Sequence, residues 1–173
     1  MSVYGKGLIT GTAPDKFDPN ATLTRGMIVT VLFRHAGSPD QAGSGKPFND
    51  VASGSWCSDA VRWAASNGLA AGYSNGDFGI NDPITRQDIA VILLRYMGYL
   101  KVDLLVTQEF IYFSDGADVS DYAMGAVQTL FKLGIIGGGG ADEAGQAIIN
   151  PKGNATRAEV SAMLNRFFAK TDK

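Results

Sequence analysis

Three threonine–arginine pairs carry the most distinctive chemistry in this sequence. Each pair precedes an apolar pattern typical of a helix, so each arginine stands at a helix start, where the helix dipole disfavours a cation by about 0.3–1 kcal/mol. Because this unfavourable placement occurs three times, we expect each arginine to make a contact that offsets the cost. The pairs are Thr24-Arg25, Thr85-Arg86 and Thr156-Arg157, and nine residues after each of these arginines come Arg34, Arg95 and Arg166.

Two kinds of contact would offset that cost, and the sequence leaves both open. In the first, the guanidinium and the free amide groups of the helix start together hold an anion, such as a carboxylate or phosphate on a ligand. In the second, the arginine pairs with an acid of a neighbouring repeat or packs its stem over the core. The two are compatible, since a groove between repeats can use one arginine for both.

An internal repeat sets the register of these pairs. The first and second pairs are 61 residues apart and the second and third are 71 apart. The extra residues fall between predicted elements, where loops tolerate insertions. The residues eight positions before the three arginines are Phe17, Phe78 and Ile149. Two further segments recur in order, namely Gly7 to Gly11, Gly68 to Gly72 and Gly134 to Gly138, and Phe48-Asn49-Asp50 with Phe113-Ser114-Asp115.

Each repeat is predicted to contain a helix, a loop and a second helix. The first helix is indicated by Ala60, Trp63 and Ala64 before Asn67-Gly68, and by apolar residues at helical spacing over 119–131, Tyr122 among them. The second helix begins at each paired arginine. Thr156 with Glu159 predicts a capping box, Thr85 with Asp88 a weaker one, and Thr24 has only the threonine. The core faces of the second helices are predicted at Ile28, Val31 and Leu32, at Ile89, Ile92, Leu93 and Tyr96, and at Val160, Met163, Leu164 and Phe167.

Four residues near the first helices need an interpretation of their own. Asp50 and Asp115 lie several residues before these helices, and two interpretations stay open: the aspartates cap the helices, or a nearer residue such as Ser58 or Ser120 does so. Trp56 lies in a loop-like segment, where packing as a hydrophobic staple is the favoured interpretation and stacking on a sugar ring is the functional alternative. Cys57 is predicted to be a small buried residue.

The composition excludes several classes of function. Fifteen Lys and Arg against seventeen Asp and Glu give a net charge of -2, without the basic surface that a nucleic-acid-binding protein needs. A single histidine, His35, and a single cysteine exclude a multi-cysteine metal site, most zinc chemistry and a disulfide within the chain. No apolar run approaches the roughly 20 residues of a membrane span.

Catalysis and calcium binding are the less favoured interpretations. A glycosidase needs two carboxylates across a cleft, and the available acids show no spacing typical of such a pair; they are Asp50, Asp77, Asp115 and Glu159. No serine-hydrolase, zinc-protease or phosphate-loop motif occurs. Residues 75–82 carry oxygen ligands without the order of a calcium loop, so a turn is the better interpretation. The sequence therefore predicts a protein that is not an enzyme and has no metal or cofactor.

Taken in order, the motifs resemble the S-layer homology domain. Phe-x-Asp, a helix ending in Gly-Leu/Ile-x-x-Gly, Phe-x-Pro, Thr-Arg-x-Glu and the later arginine recur between Gly7 and Phe168. The resemblance implies an all-α fold of tandem helix-loop-helix repeats, arranged as a pseudo-threefold prism around a central three-helix bundle. It also implies non-covalent anchoring of an exported protein to the bacterial cell wall or S-layer. The implied ligand is an anionic secondary cell-wall polysaccharide with a ketal-pyruvate on N-acetylmannosamine.

The resemblance also assigns roles to residues by position. The paired arginines would bind the pyruvate carboxylate, the last glycine of each turn would let the sugar approach the backbone, and the aspartates would accept hydrogen bonds from sugar hydroxyls. With Trp56 as the stacking candidate, the predicted ligand-binding residues are Arg25, Arg86, Arg157, Gly11, Gly72, Gly138, Asp50, Asp115 and Trp56.

One domain over residues 1–173 is predicted, with repeats at 1–36, 48–98 and 113–168. The first repeat lacks its Phe-x-Asp segment and most of its first helix, and its Thr24-Arg25-Gly26-Met27 lacks the acid, so one groove is expected to be incomplete. An uncovered apolar face predicts a homodimer or exchange of helices between chains, unless a neighbouring segment covers it. A protein-interaction or self-assembly module is the alternative function. The sequence does not open with a signal-peptide pattern, so an extracellular location requires a signal elsewhere.

Overall fold

Five α-helices build the part of the chain that the computed structural model describes, residues 17–40 and 48–172. A 3-10 turn, Gly116–Asp118, precedes the fourth helix. The helices are α1 (Arg25–His35), α2 (Ser58–Ser66), α3 (Arg86–Leu100), α4 (Asp121–Lys132) and α5 (Arg157–Thr171). The prediction of an all-α fold of helix pairs is confirmed at this level.

A short hairpin is the one sheet in the described ranges. Its strands are β1 (Gly140–Ala141) and β2 (Ala147–Ile148), paired antiparallel. It lies between Gly138 and Ile149, in a segment that is five residues longer than the equivalent one between Gly72 and Phe78. The sequence predicted a loop here, because two-residue strands carry no periodicity from which to infer pairing.

The predicted starts of the second helices and the predicted end of α2 are confirmed. Thr24, Thr85 and Thr156 are the N-cap residues of α1, α3 and α5, and each side-chain oxygen accepts a hydrogen bond from the third helical amide. Only Thr156 has the full capping box, with the Glu159 carboxylate accepting from the Thr156 amide at 2.9 Å. Gly68, in the left-handed region at φ +68°, follows the end of α2 as expected for a C-terminal glycine.

Each first helix packs against the second helix of the preceding repeat, α2 on α1 and α4 on α3. The predicted core faces of α1, α3 and α5 are all buried, and so are Trp63 and Cys57. Burial of each large apolar side chain contributes roughly 1.5–3 kcal/mol, so these faces supply most of the driving force for folding. Tyr122 was assigned wrongly to the apolar face of α4: its side chain is 62% exposed.

A closed ring of backbone hydrogen bonds joins the starts of the three second helices. The Leu23 amide donates to Ala155, the Ala155 amide to Ile84, and the Ile84 amide to Leu23, each at 3.0 Å. All three residues lie two positions before a paired arginine, and all three are buried. The ring therefore holds the three arginines at equivalent places.

The opposite ends of the same three helices meet through aromatic and polar side chains. The His35 ring of α1 stacks on Phe168 of α5, with centroids 3.8 Å apart, and its Nδ1 lies 2.7 Å from the Tyr96 hydroxyl of α3. The Tyr96 ring also stacks on Phe167. Burial raises the pKa of Tyr96 well above its usual range, so this hydroxyl remains protonated. The second helices are thus joined to one another at both ends.

The residues before Phe17 lie outside the described part of the chain. The prediction of dimerisation or helix exchange through the incomplete first repeat depends on that segment, and it stays a prediction.

The capping box gives a direct test of the helix boundaries. Thr156→Ala should lower the free energy of unfolding by about 1 kcal/mol, because the Glu159 amide loses its acceptor and the Glu159 carboxylate loses one donor. Urea unfolding followed by circular dichroism measures the change, with Thr156→Ser as the control that keeps the hydroxyl. Equal midpoints for the alanine and serine variants would contradict this assignment.

Candidate functional site

Arg25 reaches across to the loop of the second repeat. Its Nε donates to the carbonyl oxygen of Phe78 at 3.1 Å and its Nη2 to that of Ala71 at 2.7 Å. The guanidinium also lies over the rings of Tyr73 and Phe78, 5.0 and 5.1 Å from their centroids. Such contacts between a cation and an aromatic face stabilise by about 0.5–2 kcal/mol.

The other two arginines make equivalent contacts one repeat further on. Arg86 donates from Nε to Ile149 at 2.9 Å and from Nη2 to Gly137 at 3.0 Å. Arg157 donates from Nε to Phe17 at 2.8 Å. The three Nε acceptors occupy the register position eight residues before each paired arginine, so each guanidinium binds the loop of the next repeat in a cyclic order. These contacts offset the unfavourable place of each cation at a helix start.

The aspartates of the Phe-x-Asp segments hold the same loops from the other side. Asp50 accepts from the amides of Phe78 at 2.7 Å, Gly79 at 2.8 Å and Ile80 at 3.0 Å. Burial alone would raise the pKa of Asp50, but these three amide donors outweigh it and the pKa lies below its usual value.

Asp115 repeats the arrangement in the third repeat. It accepts from the amides of Ile149 at 2.8 Å and Asn150 at 2.7 Å. The interpretation that the two aspartates cap the first helices is therefore wrong: α2 and α4 begin without a side-chain cap, and both carboxylates are bound to loop amides. The spacing did not show this because the loop lies about 30 residues further along the chain.

The amides at the helix starts are not available to an anion. The amides of Arg25 and Gly26 donate to the carbonyls of Asp82 and Ile80 at 3.0 and 3.1 Å, and the next amide donates to Thr24. The same amides of α3 and α5 also donate to loop carbonyls of another repeat. The part of the anion hypothesis that relied on free helix amides is therefore wrong, and the part that relies on the guanidinium groups is what remains of it.

The arginines of the two described junctions differ in whether they form an ion pair. At the junction of the second and third repeats, Arg86 Nη1 forms an ion pair with the Glu159 carboxylate at 3.0 Å, and the Arg86 side chain is only 6% exposed. Burial lowers the pKa of Arg86, and the Glu159 carboxylate opposes that shift. At the junction of the first and second repeats, Arg25 Nη1 has no partner among the described residues, and no carboxylate of that part lies within 4.0 Å.

Exposed aromatic rings lie beside Arg25. Trp56 is 56% exposed and Tyr73 is 46% exposed, and a Cβ placed on Gly26 would lie 3.2 Å from the Trp56 ring. Trp56 therefore covers the start of α1 while keeping half of its surface open. Burial and the neighbouring Asp82 carboxylate raise the pKa of Tyr73, so its hydroxyl is a donor at neutral pH.

The turn glycines make room for the phenylalanine of the Phe-x-Asp segment. A Cβ on Gly72 would lie 2.3 Å from the Phe48 ring and 2.6 Å from the Asp77 carbonyl, so only glycine fits. Gly138 faces Phe113 in the same way, with more space. A cavity of about 490 Å³ opens at Gly72 and is lined by Phe48, Asn49, Gly72, Tyr73, Ser74, Asn75 and Gly76. Gly11 lies outside the described residues.

One cluster was missed at the sequence level. The Tyr122 hydroxyl donates to Asp88 at 2.7 Å, and Gln87 contacts both that hydroxyl and Ser120. The offset of 66 residues that relates Gly68 to Gly134 also relates Trp56 to Tyr122. That offset was the available signal for two equivalent aromatic residues at the junctions.

Comparison with known proteins identifies the family. A family model described as "S-layer homology domain" matches residues 1–26, 47–90 and 112–161, more than half of the chain. The chain belongs to the S-layer homology domain family. Modules of this family serve generally in cell-wall anchoring and are not catalytic.

The relatives are large surface proteins and enzymes. The chain is 32% identical to an amylopullulanase of Thermoanaerobacterium thermosulfurigenes over 157 residues, 91% of this chain and 8% of that protein. It is 27% identical to the surface-layer 125 kDa protein of Lysinibacillus sphaericus over 172 residues, 99% of this chain and 14% of that protein. It is 28% identical to the S-layer protein EA1 of Bacillus anthracis over 153 residues, 88% of this chain and 16% of that protein.

The chain thus spans less than a fifth of the length of each of these three relatives. Among the described residues, no helix of this S-layer homology domain is both long and apolar enough to traverse a bilayer. Nor do those residues contain a cluster of His, Cys, Asp and Glu suited to a metal ion.

The carboxylate of Asp50 predicts a pH dependence. Its pKa is lower in the folded state than in the unfolded state, so its stabilisation is complete above a pH of about 4 and is lost as the pH falls through the folded-state value. Asp50→Asn should therefore lower the free energy of unfolding at pH 6 by on the order of 2 kcal/mol, and the difference from wild type should shrink towards pH 3.

Urea unfolding at several pH values measures this difference. Asp59→Asn is the matched control, because Asp59 is exposed and pairs only with Arg62 on the same helix, which makes its expected effect a few tenths of a kcal/mol. A penalty for Asp50→Asn that did not change between pH 6 and pH 3 would show that its charge is not what holds the loop.

Proposed function

We propose that this domain is a non-catalytic anchor that binds an anionic secondary cell-wall polysaccharide, with a ketal-pyruvate as the bound charge. Family membership supports anchoring at the cell surface. The observation that carries the proposal is the Arg25 junction, where a half-buried guanidinium whose Nη1 has no partner among the described residues lies over the exposed Tyr73 ring. The exposed Trp56 ring covers the adjacent Gly26. A carboxylate next to an apolar sugar face matches that combination of groups.

The chemistry of each group fits one part of such a ligand. The guanidinium offers a charge-assisted hydrogen bond to a carboxylate. Trp56 and Tyr73 offer flat apolar surfaces with polar edges, which suit a pyranose ring. The cavity beside Gly72 and Tyr73 has the volume typical of a small-molecule site and is lined by amide and hydroxyl groups that can bind sugar hydroxyls.

In this proposal the other predicted ligand-binding residues of the described ranges serve mainly to stabilise the fold. Asp50 and Asp115 hold the loops that carry the cavity walls, Gly72 and Gly138 admit the phenylalanine rings, and Arg86 and Arg157 bind neighbouring repeats. Any direct contact of these residues with a sugar comes in addition to those roles.

The proposal includes the pseudo-threefold prism. The ring through Leu23, Ala155 and Ile84 and the His35–Tyr96–Phe168 contacts support it, because both join equivalent positions of the three second helices. The binding grooves are then the junctions between successive repeats.

Binding should depend on the ketal-pyruvate of the polymer. The domain should co-sediment with purified cell wall that carries the pyruvylated polymer, and should remain in solution with wall from which mild acid has removed the ketal. Arg25→Ala should weaken retention about tenfold or more, since a charge-assisted hydrogen bond is lost. Arg62→Ala is the control with the same change of charge on the exposed face of α2.

Retention that survives removal of the ketal would contradict an anionic ligand and point to peptidoglycan or protein contacts instead. A thermal melt of each variant separates loss of binding from loss of folding, and Arg25→Lys adds a variant that keeps the charge but not the planar donor set.

The exposed tryptophan allows a second test. Trp56→Ala should weaken binding by about 1 kcal/mol, roughly fivefold, through loss of stacking, and should leave the melting temperature almost unchanged because the ring is mostly exposed. Titration of the variant with the solubilised polymer measures the affinity. Tyr112→Ala, an exposed aromatic change on the third repeat, is the control. Equal affinity for the Trp56 variant and wild type would remove Trp56 from the site.

A further inference from the structure

We propose that the ligand carboxylate binds at Arg25 and is excluded from Arg86, because the Glu159 side chain already fills the corresponding position at Arg86. The inference rests on the proposed function and goes beyond it by distinguishing two junctions that share one register. Glu159 then acts as an internal carboxylate that closes its own groove.

The two guanidinium groups differ at a single nitrogen. Nε of each donates to the carbonyl oxygen eight positions before the next paired arginine, which is Phe78 for Arg25 and Ile149 for Arg86. Nη2 of each donates to the carbonyl oxygen of the third residue after the glycine that follows the first helix. That residue is Ala71 for Arg25 and Gly137 for Arg86. Nη1 of Arg86 donates to Glu159 at 3.0 Å, whereas Nη1 of Arg25 has no partner in the described part of the chain. The Glu159 carboxylate thus marks where a carboxylate binds to this framework.

The length of one acidic side chain explains the difference. Glu159 stands two residues after Arg157, and Asp88 stands in the same register two residues after Arg86. Asp88 is shorter by one methylene group. Its carboxylate accepts from the Thr85 hydroxyl at 2.6 Å and the Tyr122 hydroxyl at 2.7 Å, and no ion pair with Arg25 forms.

The surroundings favour the same junction. At Arg86 the register position next to the arginine is Gln87, a buried side chain that donates to Ser120 and Tyr122. At Arg25 that position is Gly26, which has no side chain and lies against the Trp56 ring. Arg86 is buried, whereas Arg25 is half-exposed.

Two carboxylates near the Arg25 junction add negative charge to it. Asp82 lies beside the Tyr73 hydroxyl, and both Asp82 and Asp88 act electrostatically on that tyrosine. They weaken attraction of an anion without contacting the guanidinium, so Asp82→Asn should strengthen binding. The junction of Arg157 includes residues before Phe17, outside the described ranges, and takes no part in the inference.

Nuclear magnetic resonance separates the junctions within one protein. The probe is the pyruvylated N-acetylmannosamine monosaccharide, and the same sugar without the ketal is its control. The ¹H–¹⁵N signals of the arginine Nε groups and of the two tryptophan indoles are followed during titration. The Arg25 and Trp56 signals should shift and saturate, while the signals of Arg86 and the buried Trp63 should not move.

A reciprocal pair of variants tests the role of the acids. Glu159→Gln keeps a side chain that can complete the capping box with Thr156, but it removes the negative charge beside Arg86. The Arg86 signal should therefore respond to the probe in this variant. Asp88→Glu supplies the missing methylene group, so the affinity at Arg25 should fall about tenfold or more. Glu143→Gln, an exposed change of the same type in the hairpin turn, should alter neither signal.

The outcomes separate this inference from the proposed function. A shift of the Arg86 signal in the wild-type protein, or no Arg86 response in a folded Glu159→Gln variant, would overturn the inference while leaving polymer binding intact. If neither the probe nor the pyruvylated wall bound the wild-type protein, the proposed function would fail, and the assignment to Arg25 would fail with it.

Discussion

The structure depends on one residue in each loop, whose backbone amide and carbonyl are held between a carboxylate and a guanidinium. In the second repeat the Phe78 amide donates to Asp50 and the Phe78 carbonyl accepts from Arg25. In the third repeat the backbone of Ile149 is held in the same way by Asp115 and Arg86. The carboxylate comes from the repeat that contains the loop and the guanidinium from the repeat before it, so each such residue links two repeats.

This arrangement accounts for an arginine placed at the unfavourable end of a helix dipole. The dipole costs about 0.3–1 kcal/mol, whereas hydrogen bonds to a charged group contribute about 1.5–3 kcal/mol each. Two such bonds from Arg25 and three from Arg86 outweigh the cost. The same residues build the fold and border the candidate site, so only measurements that separate folding from binding can assign them a role in recognition.

A nearly symmetric backbone supports unequal chemistry at its junctions. One register position carries Met27, Asp88 or Glu159 in the three repeats. The backbone around it is equivalent, and the Glu159 carboxylate reaches the Arg86 guanidinium, whereas Asp88, which is one methylene shorter, binds the hydroxyls of Thr85 and Tyr122 instead. Between the two acids, side-chain length therefore decides whether the neighbouring guanidinium has an ion pair within the described part of the protein.

The sequence by itself determined the family, the helix pairs, their caps and their buried faces, because these depend on periodicity and on residues within one turn of each other. Arg25, Arg86, Asp50 and Asp115 were singled out by register alone. What they contact was decided by the tertiary structure, since their partners lie 28 to 73 residues away and include backbone groups, which leave no trace in residue type. The occupied helix amides, the Glu159 ion pair and the absence of a partner for Arg25 Nη1 among the described residues follow from that long-range packing.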